Sequence, residues 1–129
     1  MITTDEFIQL LRSSGLSERR PIKNKECMEG VLKNSNLIVS AWKKDILIGI
    51  ARSITDYHYA CYLSDLAVDK QYQKLGIGKK LQAITQMELG SACKLILFAA
   101  PSANSYYEHL GYTNNSNGWV IESKKTIKI

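Results

Sequence analysis

The chain has 129 residues, with 45% hydrophobic and 22% charged content, ordinary values for a globular domain with a buried core, and a single domain over 1–129 is expected. Its apolar runs are far too short to span a bilayer, and Asp5 and Glu6 near the N-terminus fit no basic-then-apolar leader, so neither a membrane partner nor secretion is expected. The net charge of +5 comes from lysines spread along the chain, with modest clusters at 70–80 and 124–128 and no recognisable DNA- or RNA-binding motif, so no specific nucleic-acid partner is expected.

Thr3 and Glu6 have capping-box spacing, which predicts a helix start, and Phe7, Leu10 and Leu11 give that helix an apolar stripe. A second helix is expected over 24–33, with Met28, Val31 and Leu32 inward. Residues 37–42 and 46–53 read as two strands of an antiparallel hairpin, joined by Lys43-Lys44-Asp45. Residues 59–68 form the next strand. A helix opens near residue 77, with Ile77, Leu81, Ile84 and Met87 on one face, and stops near Gly90. A strand over 94–100 and a short helix over 102–110, capped by Gly111, follow. The tail turns at Asn117-Gly118 and ends as one or two strands, and its alternating KKTIKI reads as a solvated edge.

Between the strand over 59–68 and the next helix lies Gln73-Lys74-Leu75-Gly76-Ile77-Gly78. A glycine loop that opens into a helix suits a phosphate or pyrophosphate. Backbone N–H groups point outward there, the helix dipole favours negative charge, and glycine lets the ligand approach the backbone closely. Lys70, Lys74, Lys79 and Lys80 add positive charge. The loop is neither a P-loop, which needs G-x-x-x-x-G-K-[ST], nor a dinucleotide fingerprint, because Leu81 stands where a third glycine belongs. Cys27, Cys61 and Cys93 form no C-x-x-C pair, which fits a reducing cytoplasm. With only His58 and His109 beside them they lack ligand spacing, so no metal is expected.

The loop resembles the Q/R-x-x-G-x-G/A signature of the GNAT superfamily of acyl-CoA-dependent acyltransferases. Leu66-Ala67-Val68 precedes it as the family's Leu-x-Val strand end. Residues 95–100 and then Ala103-Asn104-Ser105-Tyr106-Tyr107, ending in Leu110-Gly111-Tyr112, follow in the family's order. The resemblance covers roughly residues 37–112. It implies a mixed α/β fold with a central, mostly antiparallel sheet and flanking helices. Two departures stand out: no strand is evident before the first helix, and the C-terminal portion is short. Both regions help shape the acceptor pocket in that family.

The resemblance further implies that acetyl-CoA is the co-substrate. Backbone groups of Gln73, Lys74, Leu75, Gly76, Ile77, Gly78 and Lys79 would bind its pyrophosphate, Leu66, Ala67 and Val68 its pantetheine arm, and Asn104 would also contact it. A bulge in the central strand would free a backbone N–H near Leu66 to polarise the thioester carbonyl. Tyr107, with a reference pKa of about 10 against about 8.5 for a thiol, is expected to hand its proton to the departing thiolate. Asp65 is the first candidate for the base, with Asp56, His58 and a water relay as alternatives. Arg52, where the strand's apolar alternation ends, is a candidate contact for an acceptor carboxylate, set against a solvated arginine at a strand end.

The expected activity is transfer of an acetyl group from acetyl-CoA to a primary amine of a small molecule, amino acid or peptide, in the cytoplasm. The alternative is a CoA-binding sensor with the same fold and no catalysis. A homodimer is compatible with either.

Overall fold

Thr3 starts the regular structure. Its hydroxyl accepts from the Glu6 N–H at 3.1 Å, and its own N–H donates to the Glu6 carboxylate at 2.9 Å, the reciprocal arrangement anticipated from the spacing. In the computed structural model, which describes residues 1–129, this cap opens α1 (Thr4–Ser14). Gly15, at φ 88°, ends the helix in a left-handed conformation that a side chain would strain. A 3-10 turn over Leu16–Arg19 leads to α2 (Lys25–Lys33), whose first turn is capped by the Asn24 side chain.

The chain divides into two compact units, Met1–Phe98 and Ala99–Ile129. The first is built on a sheet of four strands in the order β1 (Leu37–Lys43), β2 (Ile46–Thr55), β3 (Ala60–Val68) and β4 (Lys94–Ile96). The first three pair antiparallel, and β4 joins β3 in parallel. A parallel neighbour requires a crossover, here supplied by α3 (Ile77–Met87). Helices α1 and α2 bury Phe7, Leu10, Leu11 and Met28 around Leu47, Ile50 and Ala67. On a second cluster, Leu81 of α3 packs with Ala51 and Leu63. Each such large apolar side chain stabilises the fold by about 1.5–3 kcal/mol. Strand β2 is therefore covered on both sides, and residues 47–53 are all buried.

Several boundaries differ from those expected. Lys43 pairs with Ile46, so the hairpin loop is only Lys44-Asp45, with Lys44 at φ 54°. Helix α3 ends at Met87, before Gly90. The Gly90 N–H instead donates to the Tyr57 carbonyl at 2.8 Å, and a Cβ there would lie 3.0 Å from the same oxygen. A side chain at that position would press on the Tyr57 carbonyl. The inward face of α3 carries Leu81, Gln82 and Thr85, while Met87 is exposed. Thr85 tolerates burial because its hydroxyl donates to the Leu81 carbonyl at 2.8 Å.

The second unit consists of a 3-10 turn over Pro101–Ala103, α4 (Asn104–His109) and an extended tail. Gly111, at φ 100°, closes α4 by donating to the Glu108 carbonyl at 3.1 Å. Residues 113–129 are exposed and form no strand, contrary to the terminal strands expected. Alternation alone does not make a strand; a ladder partner is needed.

Candidate active site

The geometry centres on β3. In its pairing with β2, Arg52 faces Asp65 and Ser53 faces Leu63, which leaves Ser64 as an extra residue. This bulge resets the alternation of the strand. Leu63 packs in the α3 cluster; beyond the bulge Leu66 and Val68 join that same cluster, while Ala67 lies in the α1 cluster. On its other edge β3 pairs with β4 only through Ala60, Cys61 and Tyr62. From residue 63 to 68 that edge has no strand neighbour; the Ser64 and Val68 carbonyls accept side-chain bonds, and the remaining backbone groups can receive an extended ligand as an added strand would be received.

The glycine loop starts where that edge ends. Asp69 caps a 3-10 turn over Lys70–Tyr72, and the Gln73 side-chain amide donates to the Val68 carbonyl at 2.8 Å, tying the loop to the strand end. Lys74, at φ 66°, and Gly76, at φ 85°, turn the chain into α3. Gly76 is the N-cap and contributes no side-chain cap. The first bond of the helix ladder runs from the Lys80 N–H to the Gly76 carbonyl. The N–H groups of Ile77, Gly78 and Lys79 thus have no acceptor within the helix. Lys74, Leu75, Lys79 and Lys80 are exposed around them. Gly49 on β2 brings this helix end close to the sheet: a Cβ there would lie 3.1 Å from Leu81 Cδ1 and 3.3 Å from Ile77 Cγ2. Nothing in the sequence distinguishes Gly49 from an ordinary strand glycine.

Asp65 and Arg52 are not arranged as the sequence suggested. Asp65 is 1% exposed; its Oδ1 accepts from Arg20 Nε at 2.6 Å and its Oδ2 from Arg52 Nε at 2.5 Å. A general base needs a lone pair directed at the proton it removes; both oxygens here are bound to guanidinium groups. Arg52 is 5% exposed and also donates through Nη1 to Ser35 Oγ at 2.8 Å. It is neither a solvated strand-end arginine nor a guanidinium open to an acceptor, because the two residues form a buried ion pair. Arg20, which completes the cluster, lies 45 positions from Asp65 in the chain and carries no local motif.

Asp56 is also occupied. Its Oδ1 accepts from the N–H groups of Tyr59, His58 and Ala60 at 2.8, 2.9 and 3.1 Å. These bonds, led by that from Tyr59, hold its carboxyl below the usual aspartate value. Such a carboxylate closes the turn between β2 and β3 and is a weak base. His58 lies in the same turn.

In the second unit, Asn104 begins α4 and is exposed, and Tyr107 lies one turn later on the same side. Tyr107 stacks edge-on with Tyr106 and Tyr112, with ring centroids 5.1 and 5.5 Å apart. Burial, and secondarily Tyr106, pushes its phenol above the usual tyrosine value. The phenol therefore remains protonated at neutral pH. The expected direction of proton transfer is reversed, however. Moving a proton from a phenol of pKa about 10 to a thiolate whose acid has pKa about 8.5 is uphill by about 2 kcal/mol, and burial adds to this. The hydroxyl is suited to stabilising a thiolate by hydrogen bonding, with the proton itself supplied from elsewhere.

No group of three or more His, Cys, Asp or Glu side chains is placed to hold a metal ion, and no helix is long and apolar enough to cross a membrane.

The family model of the GNAT acetyltransferase domain matches residues 11–121, running across both units. An uncharacterized ycf52-like N-acetyltransferase of Prochlorococcus marinus is 35% identical over 125 residues, which cover 92% of this chain and 63% of the relative. The chain thus spans less than two thirds of that relative's length. A GNAT-family acetyltransferase of Streptococcus pneumoniae has the same fold, with a TM-score of 0.79 and 19% identity, covering 97% of this chain and 94% of its own. An aminoglycoside 6'-N-acetyltransferase complexed with coenzyme A superposes with a TM-score of 0.67 at 21% identity, covering 90% of this chain and 84% of its own. With its family model matched over most of its length, and with a bulged strand followed by a glycine-capped helix, the chain belongs to the GNAT family of N-acetyltransferases.

Proposed function

We propose that the chain transfers an acetyl group from acetyl-CoA to a primary amine of a small molecule, an amino acid or a peptide. One observation carries this reading. The free edge of β3 over residues 63–68 leads, through the loop over 69–76, to the N-terminus of α3, where Gly76 provides no side-chain cap. The edge suits the amide-containing arm of CoA, and the helix end with Lys74, Lys79 and Lys80 suits its pyrophosphate. The fold of the CoA-bound neighbour supports the same ligand.

In the reaction the amine nitrogen attacks the thioester carbon, the C–N bond forms, the C–S bond breaks, and the amine's proton ends on sulfur. Leu66, Ala67 and Val68 would align the arm, and a backbone N–H beside the bulge would polarise the carbonyl as charge develops on oxygen. Residues 73–79 would hold the pyrophosphate, and Asn104 would add a polar contact. Tyr107 would donate a hydrogen bond to the leaving sulfur. Asp65 and Asp56 have their carboxylates engaged, so loss of the amine proton through water fits better than a side-chain base.

The test is a screen of acetyl-CoA against chemically diverse amines, including amino acids, polyamines and peptide N-termini, read by thiol release. Turnover with at least one amine is expected. Tight CoA binding without turnover across the panel would replace this reading with the sensor.

A further inference from the structure

We propose that Arg20 is a positioning residue for acyl transfer, holding the Ser64 bulge of β3 through a guanidinium clamp anchored on Asp65. The proposal rests on the acetyltransferase function argued above. A bulge removes one residue from the ladder, so the Ser64 peptide must find partners elsewhere. Its carbonyl accepts from Arg20 Nη2 at 2.8 Å. The same guanidinium places Nε 2.6 Å from Asp65 Oδ1, on the adjacent residue. Its Nη1 donates to the Arg19 carbonyl at 2.9 Å. One rigid fork thus grips a backbone oxygen and a side chain on either side of the Ser64–Asp65 peptide bond, fixing the plane of that peptide.

The anchor is itself fixed. Asp65 Oδ2 binds Arg52, its cross-strand partner on β2. Arg52 binds Ser35 Oγ, and Ser35 Oγ donates to the Val31 carbonyl of α2 at 2.7 Å. The segment after α1, the end of α2 and two strands therefore converge on the residue next to the bulge. Leu66 comes one residue after Asp65, so any rotation of the Ser64–Asp65 peptide reorients the edge offered to the thioester arm. Arg20 is the most accessible member, with 25% of its side chain exposed against 6% for Arg52 and 1% for Asp65. It also lines an open cavity of about 440 Å³ beside Pro21 and Ile22, so the clamp can be altered without opening the core.

Arg20→Lys is the informative variant. A lysine keeps the charge beside Asp65 but cannot bond Asp65 and the Ser64 carbonyl with one planar fork. Backbone amide exchange and chemical shifts are measured by NMR on wild type and variant, with and without CoA. In the free protein, amides of residues 64–66 are expected to exchange about tenfold faster in the variant, the loss of one charge-assisted bond, while the Leu81 amide in the α3 core stays unchanged. With CoA, the amides of residues 77–79 should still shift with an affinity within about threefold of wild type, but Leu66 and Ala67 should lose their ligand-induced protection. With an amine found by the screen, kcat should fall about tenfold with the acetyl-CoA KM nearly constant, a split that general destabilisation does not produce. Unchanged exchange at 64–66 overturns the clamp. Faster exchange with unaltered kcat and protection overturns its link to acyl transfer. If wild-type amides 77–79 ignore CoA, the acetyltransferase reading falls, and the positioning role falls with it.

Discussion

Asp65 is the residue whose replacement best separates a catalytic base from a structural ion. It is 1% exposed, with Arg20 and Arg52 on its two oxygens at 2.6 and 2.5 Å. Asp65→Ala leaves Arg52, 6% exposed at its side chain, with no counter-ion. Removing one partner of a buried pair costs about 3–5 kcal/mol, because the remaining charge keeps its desolvation penalty. For a chain of this size that corresponds to a fall in Tm of roughly 10 °C or more. Arg20→Ala should cost only about 1 kcal/mol, since water reaches that guanidinium. Asp65→Asn keeps the volume but turns an N–H donor toward a guanidinium, for an intermediate loss of about 2 kcal/mol. Urea unfolding at pH 7 followed by circular dichroism measures the series. Asp65→Ala within about 1 kcal/mol of wild type would refute the ion-pair argument. Asp65→Asn with wild-type stability and abolished turnover would return Asp65 to the role of base.

Gly78→Val should lower CoA affinity at least about tenfold by placing a branched side chain on the helix end proposed to hold the pyrophosphate; unchanged calorimetric affinity in a folded variant would remove the loop from the binding site. Tyr107→Phe, which removes one hydrogen-bond donor to the developing thiolate, should reduce kcat by about a hundredfold with little change in the acetyl-CoA KM, and near wild-type turnover would leave Tyr107 as a packing residue. The raised Tyr107 value has its own consequence: the unfolded chain ionises first, so this contribution is intact below the ordinary tyrosine value and is lost as pH climbs through the higher folded value. In an ultraviolet phenolate titration, Tyr107→Phe should lose a step that lies above the ordinary tyrosine value. For Asp56 the sign is opposite. Its folded value is lowered, so its stabilisation is complete above the ordinary aspartate value of 3.8 and is lost as pH falls through the lower folded value. The stability difference between pH 7 and acid should shrink in Asp56→Asn, and an unchanged acid sensitivity would show that the turn bonds are not formed in solution.

Local chemistry was legible in the sequence. Thr3 and Glu6 marked the start of α1, and the order of apolar runs located all four strands and all four α-helices. Gly76 and Gly78 marked a turn into a helix that suits an anion. Each depends on groups within a few residues of one another, so spacing alone is informative. The inward face of α3 was not legible, because whether Thr85 or Met87 lies inside depends on what the helix packs against. Likewise, the KKTIKI alternation specifies a strand only if another strand pairs with it. Tertiary structure alone decided the site's framework. The Ser64 bulge is a mismatch of register between β2 and β3, and the free edge beyond Tyr62 exists because β4 ends at Ile96. Asp65 was read as a base because a lone carboxylate beside the Leu-x-Val element carries no record of its partners. Those partners lie 13 and 45 positions away and meet it only once β2 and the segment after α1 are packed against β3. A charge's function depends on its neighbours in space, and these are fixed by long-range packing that no local pattern encodes.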